Sequence, residues 1–349
     1  MEPGTSWQDM ARGVAPHFDD VSTTFVNLEA TLDAESLPPR PLIGLGQIVT
    51  APAASLAYLQ ALRAQAVGVA NNHSYDFGQP GVNRTRQAIS RRGMIPLGAG
   101  NSIKDRPETF LWQSPGGLRV GFWSAAKATA DLATHSARGV EPATPLRGLQ
   151  ALEEIDDRGA HLRIALIHAG CMRTNRPDPE DVHLLELLAK AGFDIVAASH
   201  SHRISGFRRI ARPLNRQSFC FYGLGSLVSG YVASPEEREG LIVVAGLGGT
   251  GEMVNLEVRT VFINHAGFGQ IPAARNKHAI LQRFRDLSCE IHDGSYEKLF
   301  YHDASQGMAQ LYLRDARAAF RSAGIRGLAH KARRVRMRHV KRLVFKVIG

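Results

Sequence analysis

Cysteine is scarce in this sequence, and the few that occur are far apart. The 349 residues include only Cys171, Cys220 and Cys289. Three cysteines at such wide spacing form neither a disulfide framework nor a paired-cysteine zinc site. We therefore expect a protein of a reducing compartment.

Long apolar runs are also missing. No segment approaches the roughly 18 consecutive apolar residues that a membrane-spanning helix requires. Residues 1–13 lack the basic start and apolar centre of a secretory signal peptide. Apolar residues make up 44% of the chain, and this fraction is typical of a globular protein with a sizeable core. The sequence predicts a cytoplasmic protein that is neither exported nor membrane-spanning.

Acidic residues are absent from the C-terminal tail, residues 326–349. The net charge of +10 comes from 42 basic and 32 acidic residues, and nine of the basic residues lie between Arg326 and Lys346. The rest of the chain is nearly neutral, so we expect no specific nucleic-acid partner. Apolar residues recur in the tail at roughly helical spacing, a pattern typical of an amphipathic helix on an anionic membrane such as the inner membrane. The alternatives are a solvated charged terminus or nonspecific nucleic-acid binding.

Helix and strand patterns alternate along most of the chain, which predicts an α/β fold. Residues 54–65 and 79–92 have helical patterns, and residues 23–29 and 67–70 have strand patterns. A hairpin is predicted at 108–124, and further helices and strands are predicted after it. The predicted strands are 162–167, 194–198, 205–210, 218–222, 241–245 and 253–263, and the predicted helices are 146–154, 179–191, 274–287 and 305–323.

Polar residues with metal-binding side chains follow four of the predicted strands. They are Glu29, Asn72 with His73, His168, and His200 with His202. Because the carboxyl ends of parallel strands share one edge of a sheet, these side chains can converge there. Imidazole, carboxylate and amide oxygen suit Mn, Fe or Zn. Each histidine alone is more simply explained as a structural residue, and residues 70–78 alone as a turn and helix cap. All four strand ends together favour a site.

The order and spacing of several motifs over residues 20–245 resemble one known family. The motifs are Asn27-Leu28-Glu29, Ala70-Asn71-Asn72-His73, Tyr75-Asp76-x-Gly78, Gly98-Ala99-Gly100, His168-x-Gly170, His200-x-His202 and Tyr222-Gly223-Leu224-Gly225-Ser226. They are similar to those of CapA-type proteins of capsule and poly-γ-glutamate biosynthesis, which share the calcineurin-like metallophosphatase fold. The resemblance implies a layered αββα sandwich.

The sequence patterns and the resemblance together predict a division of the chain. A loosely ordered N-terminus would occupy residues 1–20, and the CapA-like domain would occupy residues 21–265. A helical extension would follow at 266–325, before the basic tail at 326–349.

Roles follow from the resemblance, position by position. Glu29, Asn72, His168 and His200 would hold one divalent metal, and His202 would bind the other metal of the family's pair. His73 would contact the reacting oxyanion or protonate the leaving group, with Asp76 fixing its orientation. Two such cations can clamp a phosphoryl oxygen and activate water.

One element of the family pattern is missing from the sequence. The family begins with a strand ending in Gly-Asp, whose aspartate holds the first metal, and nothing before Phe25 supplies it. Asp9, Asp19 and Asp20 do not follow an apolar strand. A start site placed too far downstream would account for this absence.

Three functions remain open in the sequence. The first is a one-metal hydrolase acting on a phosphoester or an anionic cell-surface polymer, with an incomplete second metal site. The second is a metal-free acid/base enzyme using His73 and Asp76, similar to epimerases on this scaffold. The third is a non-catalytic assembly or binding factor.

Overall fold

The computed structural model of the protein describes residues 6–40, 48–127, 129, 131–230, 232 and 234–305. The α-helices are α1 (Trp7–Ala11), α2 (Leu56–Ala61), α3 (Gly78–Arg91), α4 (Pro145–Asp157), α5 (Pro179–Ala191) and α6 (Ala274–Asp293). The first strands are β1 (Thr24–Asn27), β2 (Thr31–Leu32), β3 (Thr50–Ala51), β4 (Ala64–Gly68), β5 (Ile95–Leu97), β6 (Ala99–Asn101), β7 (Thr109–Gln113) and β8 (Arg119–Ala126). The remaining strands are β9 (Gly139–Val140), β10 (Leu162–Ala169), β11 (Ile195–His200), β12 (Phe207–Arg212), β13 (Arg216–Phe221), β14 (Glu239–Leu247), β15 (Met253–Ile263) and β16 (Gly269–Gln270).

The largest sheet has six strands in the order β12-β13-β11-β10-β8-β7. Its four central strands are parallel, and β12 and β7 are antiparallel edges. Side chains alternate between its two faces, so one face buries Trp123, Ile167 and Val196 against Leu185 and Leu188 of α5. Helices α4 and α5 therefore form one outer layer.

The opposite face of the six-stranded sheet packs against two smaller sheets. One is the parallel sheet β1-β4-β5, and the other is the antiparallel sheet β14-β15-β16. Ile164 and Leu166 of β10 share a buried cluster with Phe25 of β1 and Leu241 of β14. Helices α2 and α3 cover the outer face of the parallel sheet, around Val67. The layers run helix, sheet, sheet, helix, and the predicted αββα arrangement is confirmed.

Strand β4 begins earlier than the sequence pattern predicted. The helix expected to reach Gln65 ends at Ala61, and the strand expected from Val67 begins at Ala64. Arg63 has φ of 58°, a left-handed conformation that ends the helix. Ala64 and Ala66 are buried while Gln65 is exposed, so this short segment has the alternation of a strand.

Residues 6–18, part of the segment expected to be loosely ordered, contain a short helix and buried apolar side chains. Ser6 and Asp9 form a capping box at the start of α1. Ala11, Val14 and Phe18 are buried against α2. A five-residue helix is too short to show a periodic pattern, which is why the sequence predicted a loosely ordered segment at 1–20.

The C-terminal boundary expected at residue 266 stays a prediction. β16 pairs with β15, and α6 buries Ile280 and Phe284 in the cluster between the sheets. The predicted helix at 305–323 lies almost wholly outside the described residues, and the basic tail at 326–349 lies entirely outside them. None of the helices in the described part of the chain combines the length and apolar character needed to cross a bilayer.

Candidate metal centre

Two glycines let the sheets approach closely where the candidate site forms. A Cβ atom on Gly68, the last residue of β4, would lie 2.6 Å from Ser124 Oγ of β8. A Cβ atom on Gly98, after β5, would lie 2.5 Å from the Ser124 carbonyl oxygen. At Gly98 the obstacle is backbone, so a larger residue there would push the layers apart. The strand ends of both layers therefore meet in one place.

Glu29 lies at the centre of a histidine cluster. Its Oε1 atom is 3.6 Å from His168 Nε2, 3.7 Å from His202 Nε2, and 3.9 Å from both His73 Nε2 and His200 Nδ1. Glu29 follows β1 in one sheet layer, whereas His168 and His200 belong to β10 and β11 in the other. The structure therefore brings together the residues that the sequence placed at separate strand ends.

His168 and His200 are neighbours because β10 and β11 pair in parallel, with Ala169 opposite His200. Their ring centroids are 4.6 Å apart. His168 Nε2 is 2.6 Å from Asn72 Oδ1, which brings Asn72 into the cluster. Ser199 Oγ is 3.4 Å from the other ring nitrogen of His168. The buried His168 ring is thus held from both sides.

His73 and Asp76 form a pair at the edge of the cluster. His73 Nδ1 is 2.8 Å from Asp76 Oδ2, and the same oxygen accepts the backbone N–H of Val49 at 2.9 Å. This contact fixes the ring and directs Nε2 towards Glu29. An imidazole held in this way can transfer a proton through its free nitrogen.

The backbone at the paired histidines is strained. His200 has φ of 136° and His202 has φ of 58°. Non-glycine residues rarely adopt such values, and they occur preferentially at functional sites, where the surrounding structure maintains them. At this position, the strained backbone directs both rings towards Glu29.

Burial and charge set the ionisation of the cluster. Burial opposes ionisation of Glu29, but the surrounding imidazoles of His200, His168 and His202 outweigh this effect and lower its pKa to about 2. Burial holds the pKa of His168 well below its usual value and also lowers the pKa of His202. An ionised carboxylate beside neutral imidazoles is the state that binds a divalent cation.

The donor set fits a metal ion. One donor atom from each of Glu29, His168 and His200 lies within 4.8 Å of the others. His200 Nδ1 is buried and has no hydrogen-bond partner among the described residues, so a ligand-binding atom there is unsatisfied. Mixed nitrogen and oxygen donors favour Mn, Fe or Zn over Mg.

The second metal position expected from the resemblance is less clear. His202 Nε2 lies 3.7 Å from Glu29 Oε1, within the 3.6–3.9 Å range of the other imidazoles. Its assignment to a different metal therefore stays a prediction. Asp9 caps α1 and Asp20 pairs with Arg259 of β15, so neither carboxylate belongs to the cluster.

Two residues that support the candidate metal centre, Asn71 and Ser226, were not predicted from the sequence. Asn71 donates through Nδ2 to the Leu28 carbonyl at 2.8 Å and accepts the His73 N–H at 3.0 Å. It thereby fixes the loop after β4 against the residue preceding Glu29. Ser226 Oγ lies 3.3 Å from His202 Nδ1. The repeated asparagine at 71–72 is a signal of this role in the sequence, although it also fits turn chemistry.

Comparison with known families and proteins gives consistent matches. The model of the family described as "Bacterial capsule synthesis protein PGA_cap" matches residues 1–231. The capsule biosynthesis protein CapA of Bacillus anthracis is 29% identical over 168 residues, covering 46% of this chain and 39% of that protein. A probable polyglutamine synthesis accessory protein of Mycobacterium tuberculosis is 28% identical over 221 residues, covering 59% of this chain and 55% of that protein. The chain thus spans about half the length of these relatives.

Similar solved structures are distant in sequence. The NAD nucleotidase of Haemophilus influenzae is 12% identical with a TM-score of 0.40, covering 73% of this chain and 47% of that chain. The calcineurin-like phosphoesterase YfkN of Bacillus subtilis is 13% identical with a TM-score of 0.35, covering 67% of this chain and 73% of that chain.

Proposed function

Because the chain belongs to the PGA_cap family of bacterial capsule synthesis proteins, we propose that it acts in the synthesis or processing of an anionic cell-surface polymer. Its chemistry in this proposal is metal-assisted hydrolysis of a phosphoester bond. The substrate is the phosphoester itself or an anionic polymer that carries one. A metal-free enzyme and a non-catalytic binding factor are the alternatives that the experiments below distinguish.

The observation that carries the proposal is the position of Glu29. One carboxylate oxygen lies within 4 Å of ring nitrogens from four histidines in two different sheet layers. A buried cluster of this kind is costly to build unless it binds a ligand, because unpaired polar atoms lose their contacts with water. The unsatisfied Nδ1 atom of His200 supports this argument.

Each residue has a defined part in the proposed reaction. Glu29, His168 and His200 would hold the cation, with Asn72 beside them. When bound, a divalent cation polarises a phosphoryl oxygen and lowers the pKa of water. His73, oriented by Asp76, donates a proton to the leaving oxygen or a hydrogen bond to the developing negative charge.

Metal content and phosphodiester turnover test the proposal together. Purified protein is depleted with a chelator, reloaded with Mn²⁺, Zn²⁺ or Fe²⁺, and assayed with bis(p-nitrophenyl) phosphate. We expect about one bound metal per chain and metal-dependent turnover that falls about 10²- to 10⁴-fold in His73→Ala. A protein that binds metal but gives no turnover would support the binding factor. A protein that neither binds metal nor turns over substrate would exclude the hydrolase.

The contact between His73 and Asp76 favours one second candidate. This pair needs no metal to transfer a proton, so it suits an epimerase-like enzyme that removes a proton from a peptide Cα. Exchange of that proton for deuterium in the chelator-treated protein is the expected signal. Loss of the exchange in His73→Ala would assign it to this site, and exchange that survives the substitution would not.

We propose that the basic tail, residues 326–349, attaches the otherwise cytoplasmic protein to the inner face of the membrane. Nine basic residues without an acid can attract anionic lipids, each contributing on the order of 1 kcal/mol near the surface. We expect co-sedimentation with phosphatidylglycerol vesicles and not with phosphatidylcholine vesicles. Deletion of the tail should abolish co-sedimentation with phosphatidylglycerol vesicles, and unchanged binding after deletion would contradict the proposal.

A further inference from the structure

The loop at residues 170–178, between β10 and α5, carries an arginine to the edge of the histidine cluster. Arg173 donates its backbone N–H to the carbonyl of Ser201 at 3.1 Å, and Ser201 lies between His200 and His202. Arg173 has φ of 65°, a left-handed conformation that an arginine rarely adopts. Strained backbone of this kind occurs preferentially at functional sites, where the surrounding structure maintains it. Arg173 is therefore anchored to the segment that carries two histidines of the cluster.

The Arg173 side chain lines the cavity that opens at the candidate metal centre. This cavity has a volume of about 1590 Å³, includes Glu29 and His202 in its wall, and continues between β1 and β14. Among the described residues of the wall, the basic ones are Arg173 and Arg259. Arg259 is already paired through both ends of its guanidinium with Asp20. Of the two arginines, Arg173 is the one whose charge is open to an anion.

The guanidinium of Arg173 is largely buried but makes little use of its donors. Its side chain is 14% exposed, and its Nε atom lies 3.7 Å from Glu237 Oε1, which is too far for a hydrogen bond. In the described part of the chain, the guanidinium makes no hydrogen bond. An arginine has five side-chain N–H donors, and buried donors are normally bonded. The donors of Arg173 are therefore available to a ligand in the cavity.

The carboxylate of Glu237 lies near both Arg173 and the histidine cluster. Burial lowers the pKa of His202, and the charges of Glu29 and Glu237 oppose this fall. Because such effects weaken with distance, Glu237 is close to His202 as well as to Arg173. Arg173 is thus one side chain away from a ring that faces Glu29 at 3.7 Å.

Other residues of the loop hold Arg173 in place. Thr174 Oγ1 donates to the carbonyl of Arg176 at 2.7 Å. The guanidinium of Arg176 donates to Glu290 of α6 at 2.7 Å and to Asp303 at 2.6 Å. A side chain on a loop held in this way binds a ligand with a smaller entropic cost of ordering. Arg176 also provides a comparison, because its own donors are engaged by carboxylates of the chain.

An arginine beside a metal centre suits a substrate with two oxyanion groups. The planar guanidinium matches the paired oxygens of a carboxylate or a phosphate, and it binds them more strongly than it binds a neutral acceptor. In the proposed reaction, Glu29 and the histidines would hold the cation and one phosphoryl group. A neutral substrate group at Arg173 would leave a desolvated charge without a partner. The position therefore favours a second anion.

We propose that Arg173 binds a second oxyanion group of the substrate, a carboxylate or a phosphate, beside the phosphoester at the metal centre. The substrate class is then a phosphoester with a further negative charge close to the bond that breaks. Arg173 sets specificity and takes no part in proton transfer. This inference rests on the proposed hydrolysis, because it names the class of substrate for that reaction.

Binding of unreactive phosphonates tests the proposal without turnover. Propylphosphonate has one anionic group, phosphonopropionate adds a carboxylate, and ethylenediphosphonate adds a second phosphonate. We expect the Mn²⁺-loaded protein to bind at least one of the doubly charged ligands about 10- to 100-fold more tightly than propylphosphonate. Isothermal titration calorimetry measures the three affinities. The tighter of the two doubly charged ligands shows whether the second group is a carboxylate or a phosphate.

Three variants assign the preference to the guanidinium. Arg173→Gln should remove it, because glutamine keeps a donor but loses the charge. Arg173→Lys should keep part of it, since a lysine retains the charge without the planar fork. Arg176→Gln is the matched control in the same loop, and it should retain the whole preference.

Turnover gives a second measurement. Two phosphodiesters share the p-nitrophenolate leaving group and differ in the other alcohol, which is ethyl or carboxyethyl. We expect Arg173→Gln to raise KM for the carboxyethyl diester about 10- to 100-fold and to change kcat much less, because the contact is equally present before and during the reaction. A merely structural role would lower turnover of both diesters equally.

Equal affinity of the native chain for all three phosphonates would overturn the proposal. A preference that survives in Arg173→Gln, or that Arg176→Gln loses to the same extent, would also overturn it. The binding measurement needs no hydrolysis, so the two proposals can fail separately. A chain that distinguishes the phosphonates but hydrolyses neither diester would refute the hydrolase and retain Arg173 as an anion-binding residue. Turnover without any preference would refute only the role of Arg173.

Discussion

Glu29 is the residue on which the candidate centre depends most. The substitution Glu29→Gln keeps the size of the side chain and removes the charge that faces four imidazoles. We expect affinity for Mn²⁺ or Zn²⁺ to fall by more than the roughly 10- to 100-fold that loss of an outer hydrogen-bond partner costs. Isothermal titration calorimetry measures the metal affinity of both proteins. Asp20→Asn, which changes an exposed carboxylate paired with Arg259, is the control and should bind metal normally.

Asp76 acts through His73, so its substitution should separate turnover from metal binding. Asp76→Asn weakens the contact that orients the imidazole and keeps an oxygen that can accept the Val49 N–H. We expect kcat for the phosphodiester to fall about 10- to 100-fold, with metal affinity unchanged. Equal losses in both measurements would show that Asp76 supports the whole site. Asp286→Asn, at an exposed position of α6, is the neutral comparison.

The sequence predicted the members of the cluster better than their arrangement. Glu29, His168 and His200 were found because each follows or ends an apolar strand, and this is a local pattern. The central position of Glu29 depends on how closely two sheets pack, and no local pattern contains that information. The role of Asn71 depends on its contact with Leu28, a neighbour in space that the sequence alone did not reveal.

At the scale of elements, glycines at the strand ends set the spacing of the layers. Gly98→Ala adds a Cβ atom 2.5 Å from the Ser124 carbonyl oxygen and 2.7 Å from Ala70 Cβ, at φ of 93°. We expect it to reduce the free energy of unfolding by about 1–2 kcal/mol through the backbone and about 1–3 kcal/mol through crowding. Metal affinity should also fall, because the strand ends move apart. Urea denaturation measures the free energy of unfolding, and titration with Mn²⁺ or Zn²⁺ measures the metal affinity.

Gly93→Ala is the matched control for the previous substitution. Gly93 also has a left-handed backbone, with φ of 76°, but an added Cβ atom would meet nothing within 4 Å. It should therefore show the backbone cost alone and normal metal affinity. Equal effects of the two alanines would contradict the view that close approach of the layers at Gly98 holds the site together.

The boundaries of elements were predictable where periodic patterns were long. α5 and β15 have the bounds that the sequence predicted, and α3 differs by one residue at each end. The pattern failed at β4, where a single left-handed residue ends a helix and alternation over only three residues marks the strand. It failed again at α1, an element of less than two turns that is marked by a capping box and one buried residue, Ala11.

At the scale of the whole molecule, the layered arrangement could be predicted but the cavity between β1 and β14 could not. Alternating helix and strand patterns, with the family resemblance, predict two sheets between helices. The separation of β1 from β14 depends on which strands fail to pair, and unpaired edges leave no mark in a periodic pattern. The same separation leaves the two smaller sheets connected mainly through their packing on the six-stranded sheet and the outer helices.

Metal binding should therefore stabilise the whole fold, because its ligands come from both sheet layers. Glu29 follows β1, whereas His168 and His200 lie on β10 and β11. A cation present at 100 times its Kd adds about 2.7 kcal/mol to the free energy of unfolding. We expect calorimetry to show a higher Tm with Mn²⁺ or Zn²⁺ than in chelator, and a smaller shift with Mg²⁺ at the same concentration. Glu29→Gln should lose the shift, and a variant stabilised as strongly as the native chain would place the metal outside this cluster.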